Sequence, residues 1–187
     1  MKVLDPCTLV IFGAAGNLSR LKLIPSLFRL EMAKRLPEHV AIVGCSIEPQ
    51  EREEWIDEII KMLQPAYPQG IDKPALERFC ARMHYHAIPP GDDAAYQRLQ
   101  QLLEGSTGFP PNMVFYMSVS PAAFPDIVDK LGNVNLLKQK HGWRRVVIEK
   151  PFGYDLLSAQ TLQGSLYKHL NEPQIYRIDH YLGKGTV

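Results

Sequence analysis

Arg177-Ile-Asp-His-Tyr-Leu-Gly-Lys184 brings an acid, an imidazole, a phenol and an ammonium into the six positions from Asp179 to Lys184. That is the chemistry of an anionic-substrate site. A phosphate takes several charge-assisted hydrogen bonds, and His180, Tyr181 and Lys184 can each donate one. A lone histidine here would more often be structural, but the run as a whole is harder to read as packing. A second segment, Gly13-Ala14-Ala15-Gly16-Asn17-Leu18-Ser19, follows an apolar run and opens a helical pattern. Glycines at such a turn let the chain reverse sharply and let a pyrophosphate approach the backbone. The helix start then offers free N–H groups and positive partial charge. Ser19 stands where the dinucleotide fingerprint wants a small residue. A plain strand-to-helix turn could use the same glycines, so the turn needs support from elsewhere. A third segment, Glu149-Lys150-Pro151-Phe152-Gly153, ends another apolar run. Ligands of open α/β sheets bind at the carboxyl ends of strands, where Lys150 could reach a bound ligand.

The elements that must position these residues alternate along the chain. Thr8–Phe12 and Val40–Gly44 are continuous apolar runs, as in strands buried on both faces. Between them Leu18, Leu21, Ile24, Leu27, Phe28, Leu30 and Met32 recur at helical spacing, and Pro25 predicts a kink or a restart. Helices are predicted over 51–63 and 74–82, and a strand over 83–88. A helix through Tyr96, Leu99, Leu102 and Leu103 comes next, then a strand over 112–119. Ala122 to Leu131 reads as a helix closed by Gly132, Trp143 to Glu149 as a strand, and Asp155 as the cap of a helix to about His169. Gln174 to Ile178 begins one more strand. Strands alternating with helices predict an α/β fold: a doubly wound parallel sheet, a Rossmann-like dinucleotide-binding domain. It is expected to occupy residues 1–187, with 174–187 the start of the substrate-site segment.

Length and composition agree with one such domain. The chain has 187 residues, 45% hydrophobic and 22% charged. A net charge of +1 gives no electrostatic case for a nucleic-acid or membrane partner. No apolar stretch approaches the ~20 residues of a membrane span. Only Lys2 precedes Asp5, which is not the pattern of a secretory signal. Cys7, Cys45 and Cys80 are widely spaced and form no CxxC pair, which predicts reduced thiols in a cytoplasmic protein with no metal site.

Taken together, these segments resemble glucose-6-phosphate dehydrogenase. The first turn of that family reads Gly-Ala-Ser-Gly-Asp-Leu, a small residue, a basic cluster and a proline. Here Gly13 to Ser19 is followed by Arg20, Lys22 and Pro25. Glu149 to Gly153 matches a family pentapeptide, and Arg177 to Lys184 is nearly a family signature. Tyr116 to Pro121 resembles a stretch that lines the cofactor, with Ser120 in place of a proline, and Gly185 replaces an acid. The resemblance covers essentially the whole chain but only the first part of the family's length. It implies an oxidoreductase of glucose metabolism that passes hydride from C1 of glucose 6-phosphate to NADP or NAD, the first step of the pentose phosphate pathway. By the same resemblance Gly13, Ala14, Ala15, Gly16, Asn17, Leu18, Ser46 and Lys150 bind the cofactor. Lys150, His180, Tyr181 and Lys184 bind the sugar phosphate, and Asp179 supports a catalytic histidine. That histidine falls beyond Val187, in a second domain, so the chain alone is expected to be inactive. His39, His84, His86, His141 and His169 match no base position, although His84 and His86 could flank cofactor. The resemblance also implies a cis bond before Pro151 and homo-oligomers at full length. A non-catalytic paralogue that binds a dinucleotide or a sugar phosphate and regulates is the alternative.

The ribose-reading position departs from the family. An acid at the end of the second strand binds a 2′-hydroxyl, and an arginine binds a 2′-phosphate. The family pattern is close to Val-Gly-x-x-Arg, whereas here Val43-Gly44-Cys45-Ser46 leads to Ile47 and then Glu48. Ser46 with Arg20 or Lys22 could still hold a 2′-phosphate, or Glu48 could favour NAD. Glu48 could equally serve as a solvated acid at a helix start.

Overall fold

The structure, a computed structural model, describes residues 5–153 and 155–179. Six strands run in parallel: β1 (Cys7–Phe12), β2 (Val40–Ser46), β3 (Met83–Ala87), β4 (Met113–Met117), β5 (Arg144–Glu149) and β6 (Ile175–Ile178). Their spatial order is β3-β2-β1-β4-β5-β6. That is the doubly wound order, with the reversal between β1 and β4 opening a crevice at the strands' carboxyl ends. The helices are α1 (Ile24–Met32), α2 (Arg52–Leu63), α3 (Lys73–Ala81), α4 (Ala94–Gly105), α5 (Phe124–Asn133) and α6 (Leu156–Tyr167).

The apolar runs of β1 and β2 are buried because helices cover both faces. One core layer packs Phe28, Trp55 and Phe79 from α1, α2 and α3 on the sheet. The other packs Leu99, Phe124 and Leu162 from α4, α5 and α6. The Trp55 ring lies over Gly44, where a β-carbon would come within 2.4 Å of it. A glycine in the middle of β2 therefore lets α2 approach the sheet closely.

Pro25 restarts the first helix. Ser19–Leu23 winds as a π-helical turn, and Pro25 falls in the first turn of α1. The wider turn changes the hydrogen-bond register where proline has no N–H to give. Gly132 plays a different part from the one expected. α5 continues through it to Asn133, and a β-carbon there would lie 2.2 Å from the His169 imidazole. That imidazole sits against α5 and bonds Asp129 at 3.0 Å. Gly132 thus serves close packing, and the helix ends a residue later. Asp155 caps α6 as expected, accepting from the Ser158 N–H at 2.8 Å.

Candidate functional site

The first glycine turn is held from two sides. The N–H groups of Gly13 and Ala14 both donate to the Cys45 carbonyl, at 2.9 and 3.0 Å, which ties the end of β1 to the end of β2. Gly13 has φ +81°, and a β-carbon on it would lie 2.2 Å from the Ser118 carbonyl oxygen beyond β4. Only glycine suits both the dihedral and the approach. The Gly16 N–H closes the turn on the Gly13 carbonyl at 2.9 Å. Beyond it the helix begins, with its first N–H groups outside the helical ladder.

Around this turn lies a groove of about 560 Å³ at the carboxyl edge of the sheet. Gly13, Ala15 and Gly16 form its floor, and Ser46, Ile47 and Glu48 form the wall beyond β2. The loop after β3 and the start of α5 complete it. Ala14 is fully buried beneath the turn, and Asn17 and Leu18 open the helix, so these three support the floor without lining it. Ser118 also lines the groove, and its buried hydroxyl makes no hydrogen bond among the described residues. An apolar groove with a glycine floor, a helix start and one such hydroxyl fits an extended dinucleotide.

Lys150 and Asp179 lie 29 residues apart in sequence and meet at the ends of β5 and β6, with Lys150 Nζ 2.8 Å from Asp179 Oδ2. The strand pairing brings this about: Glu149 lies opposite Ile178, and the Lys150 N–H donates to the Ile178 carbonyl at 3.2 Å. The Lys150–Pro151 bond is cis, in agreement with the resemblance. Two of the expected site residues are thus joined. His180, Tyr181 and Lys184 lie outside the described residues.

Sequence reasoning assigned no role to the pair beneath Lys150. Tyr116 donates its hydroxyl to the Glu149 carboxylate, and Glu149 is only 7% exposed. Burial and the Glu149 charge together push the Tyr116 phenol up. The signal was a carboxylate ending a strand that is otherwise buried, but its partner comes from β4. The Tyr85 hydroxyl donates to the Glu48 carbonyl at 2.7 Å, which ties the loop after β2 to β3 beside Ser46. Lys130, the cation lining the far wall, is held by Asp126 at 2.9 Å and Asp93 at 3.1 Å, which raise its pKa.

The histidines sit elsewhere. The His86 Nε2–H donates to the Ala95 carbonyl at 2.8 Å, and the His84 ring packs on Phe109. Both side chains are turned to structural partners, and neither lines the groove. His39 and His141 are exposed, as expected for turn residues. A second cavity of about 600 Å³ opens beside His84, Phe109 and Arg82. It lies at the amino ends of the strands, away from the ligand edge of such sheets. There the Arg82 guanidinium is spent on the Pro37 and Glu38 carbonyls, at 2.9 and 2.6 Å. No helix among the described residues is long and apolar enough to cross a membrane.

Comparison with known proteins agrees with this geometry. Residues 10–187 match the family described as glucose-6-phosphate dehydrogenase, NAD binding domain. A glucose-6-phosphate 1-dehydrogenase of Aggregatibacter actinomycetemcomitans is 37% identical over 98% of this chain and 37% of its own length. The enzyme of that name from Bacillus subtilis is 37% identical over 96% of this chain and 36% of its own. A solved glucose-6-phosphate dehydrogenase in complex with its substrate glucose-6-phosphate superposes with a TM-score of 0.84 at 34% identity, covering 98% of this chain and 38% of that one. The chain therefore spans a little over a third of the length of the relatives it matches.

Proposed function

Because the chain belongs to the glucose-6-phosphate dehydrogenase family, we propose that it forms the coenzyme half of an oxidoreductase acting on glucose 6-phosphate. The observation that carries this reading is the Lys150–Asp179 pair at 2.8 Å, at the carboxyl edge of the same sheet as the groove and at the start of the run Asp179 to Lys184. A bound NADP or NAD would supply the hydride acceptor for the sugar's C1. The chain's own residues do the holding. The Gly13–Gly16 turn and the helix start take the pyrophosphate. Lys150, at the strand end, donates to the sugar and borders the nicotinamide. Asp179 holds Lys150 in place and orients a histidine base, which a carboxylate partner keeps in one tautomer. His180, Tyr181 and Lys184 grip the sugar phosphate with charge-assisted donors.

In this reading the base comes from the additional length that the relatives possess, so residues 1–187 alone bind but do not turn over. The test uses the protein extended to the length of its relatives and follows reduction of dinucleotide by glucose 6-phosphate. Turnover that falls by ~10²–10³-fold in Lys150→Ala supports the proposal, this being the usual cost of losing one preorganised polar contact to the reacting centre. An extended protein that binds dinucleotide yet oxidises no glucose 6-phosphate would contradict it.

A further inference from the structure

The wall of the groove beyond β2 carries a specificity that its floor does not. We propose that this wall reads a free 2′-hydroxyl on the adenosine ribose, so that the protein selects NAD over NADP, with Glu48 as the selecting residue. This rests on the dinucleotide reading of the groove given above and goes beyond it in naming the cofactor.

Four observations carry it. First, the position after β2 that could hold a cation is Ile47, an isoleucine 61% exposed at the groove edge. It faces an apolar rim formed by Ile88, Pro89 and Pro90. An exposed isoleucine opposite such a rim gives a base two flat apolar surfaces, and offers a phosphate nothing.

Second, Glu48 follows directly and lines the groove. The other use for an acid there, supporting the start of α2, is already filled. Glu51 and Glu54 form the reciprocal capping box of that helix, and Glu53 is the further acid of its first turn. The Glu48 carboxylate is thus available to accept a hydrogen bond from a ribose hydroxyl.

Third, the Tyr85 hydroxyl donates to the Glu48 carbonyl at 2.7 Å, which fixes the backbone of the wall that carries the carboxylate.

Fourth, the groove's charges oppose a second phosphate. Its lining carries Glu48, Asp92 and Asp126 against the single cation Lys130 among the described residues. Lys130 is already bound to Asp126 and Asp93, and Asp92 to Arg98 at 2.6 Å. A 2′-phosphate would bring additional negative charge to a lining whose described cation is committed, whereas a 2′-hydroxyl brings a donor to a carboxylate.

The experiment titrates the protein with NAD, NADP, 5′-AMP and adenosine 2′,5′-bisphosphate, and repeats the series with Glu48→Gln and Ile47→Arg. NAD is expected to bind tighter than NADP by roughly 10- to 100-fold, the range that a single charge-assisted hydrogen bond commands. The two adenosine fragments should show the same order. Glu48→Gln keeps an acceptor for the hydroxyl but removes the charge, so it should tighten NADP severalfold and weaken NAD severalfold, which narrows the preference. Ile47→Arg should tighten NADP further. Unmodified protein that prefers NADP, or a Glu48→Gln change equal for both cofactors, overturns this inference and leaves the dinucleotide reading standing. Failure of all four ligands to bind the unmodified protein overturns both.

Discussion

Replacing Gly13 by alanine tests whether the glycine turn is built as described. Two independent penalties meet there. The residue has φ +81°, where a β-carbon costs about 1–2 kcal/mol. The new methyl would also stand 2.2 Å from the Ser118 carbonyl oxygen, a backbone atom that moves only if β4 moves. Overpacking of that kind costs about 1–3 kcal/mol. The stiffer unfolded chain returns about 0.4–1 kcal/mol. The net loss is roughly 2–4 kcal/mol. In urea, with a slope of about 2 kcal/mol per molar, the unfolding midpoint should fall by about 1–2 M at unchanged slope. Gly16→Ala is the internal control. Its β-carbon would meet the Gly13 carbonyl at 3.1 Å, with no positive φ, so the stability loss should stay within about 1 kcal/mol. Gly16 lines the groove, so dinucleotide affinity should fall nonetheless. A Gly13→Ala protein with the parental midpoint, or one less affected than Gly16→Ala, would refute the two-sided clamp.

Three further outcomes are expected. Tyr116→Phe removes the hydroxyl that Glu149 accepts from and should cost about 1–3 kcal/mol in urea unfolding, since a buried carboxylate loses a donor; an unchanged midpoint would show that the pair carries no weight. Arg144→Met should cost about 2–4 kcal/mol, because that guanidinium, 1% exposed, bonds the Leu136 carbonyl at 2.9 Å and the Pro111 carbonyl as well; a neutral effect would mean that water replaces it. Burial holds the His84 and His86 imidazoles below the usual 6.5, so just under that pH the unfolded chain binds more protons than the folded one. Stability should therefore be full above about pH 6.5 and decline as pH drops toward the folded values, and a flat profile from about pH 7.5 to about pH 5.5 would contradict it.

The sequence made the element order legible because the apolar runs at Thr8–Phe12 and Val40–Gly44 are long, β-branched and ended by glycine. The glycine turn was legible for the same local reason. Contacts set by strand order were not. Lys150 and Asp179 meet only because β6 pairs with β5 in one register. Tyr116 meets Glu149 only because β4 lies beside β5. Gly132 looked like a helix end because glycine often is one, and the His169 ring that makes it a packing site arrives from 37 positions on, beyond α6. His84 and His86 looked free to meet a ligand until α4 and the loop before β4 took them as partners. In each case the local pattern was compatible with two roles, and the choice between them lay with a residue from another element.

The most direct test of the whole account is a titration of the isotope-labelled protein with NAD, followed by amide NMR. Gly13, Gly16, Ile47 and Ser118 should shift together and saturably, with Lys150 following at the strand end, while Phe109 and Arg82 at the opposite edge of the sheet stay still. Saturable shifts at the opposite edge alone, or none at the glycine turn, would contradict the assignment of this groove as the dinucleotide site.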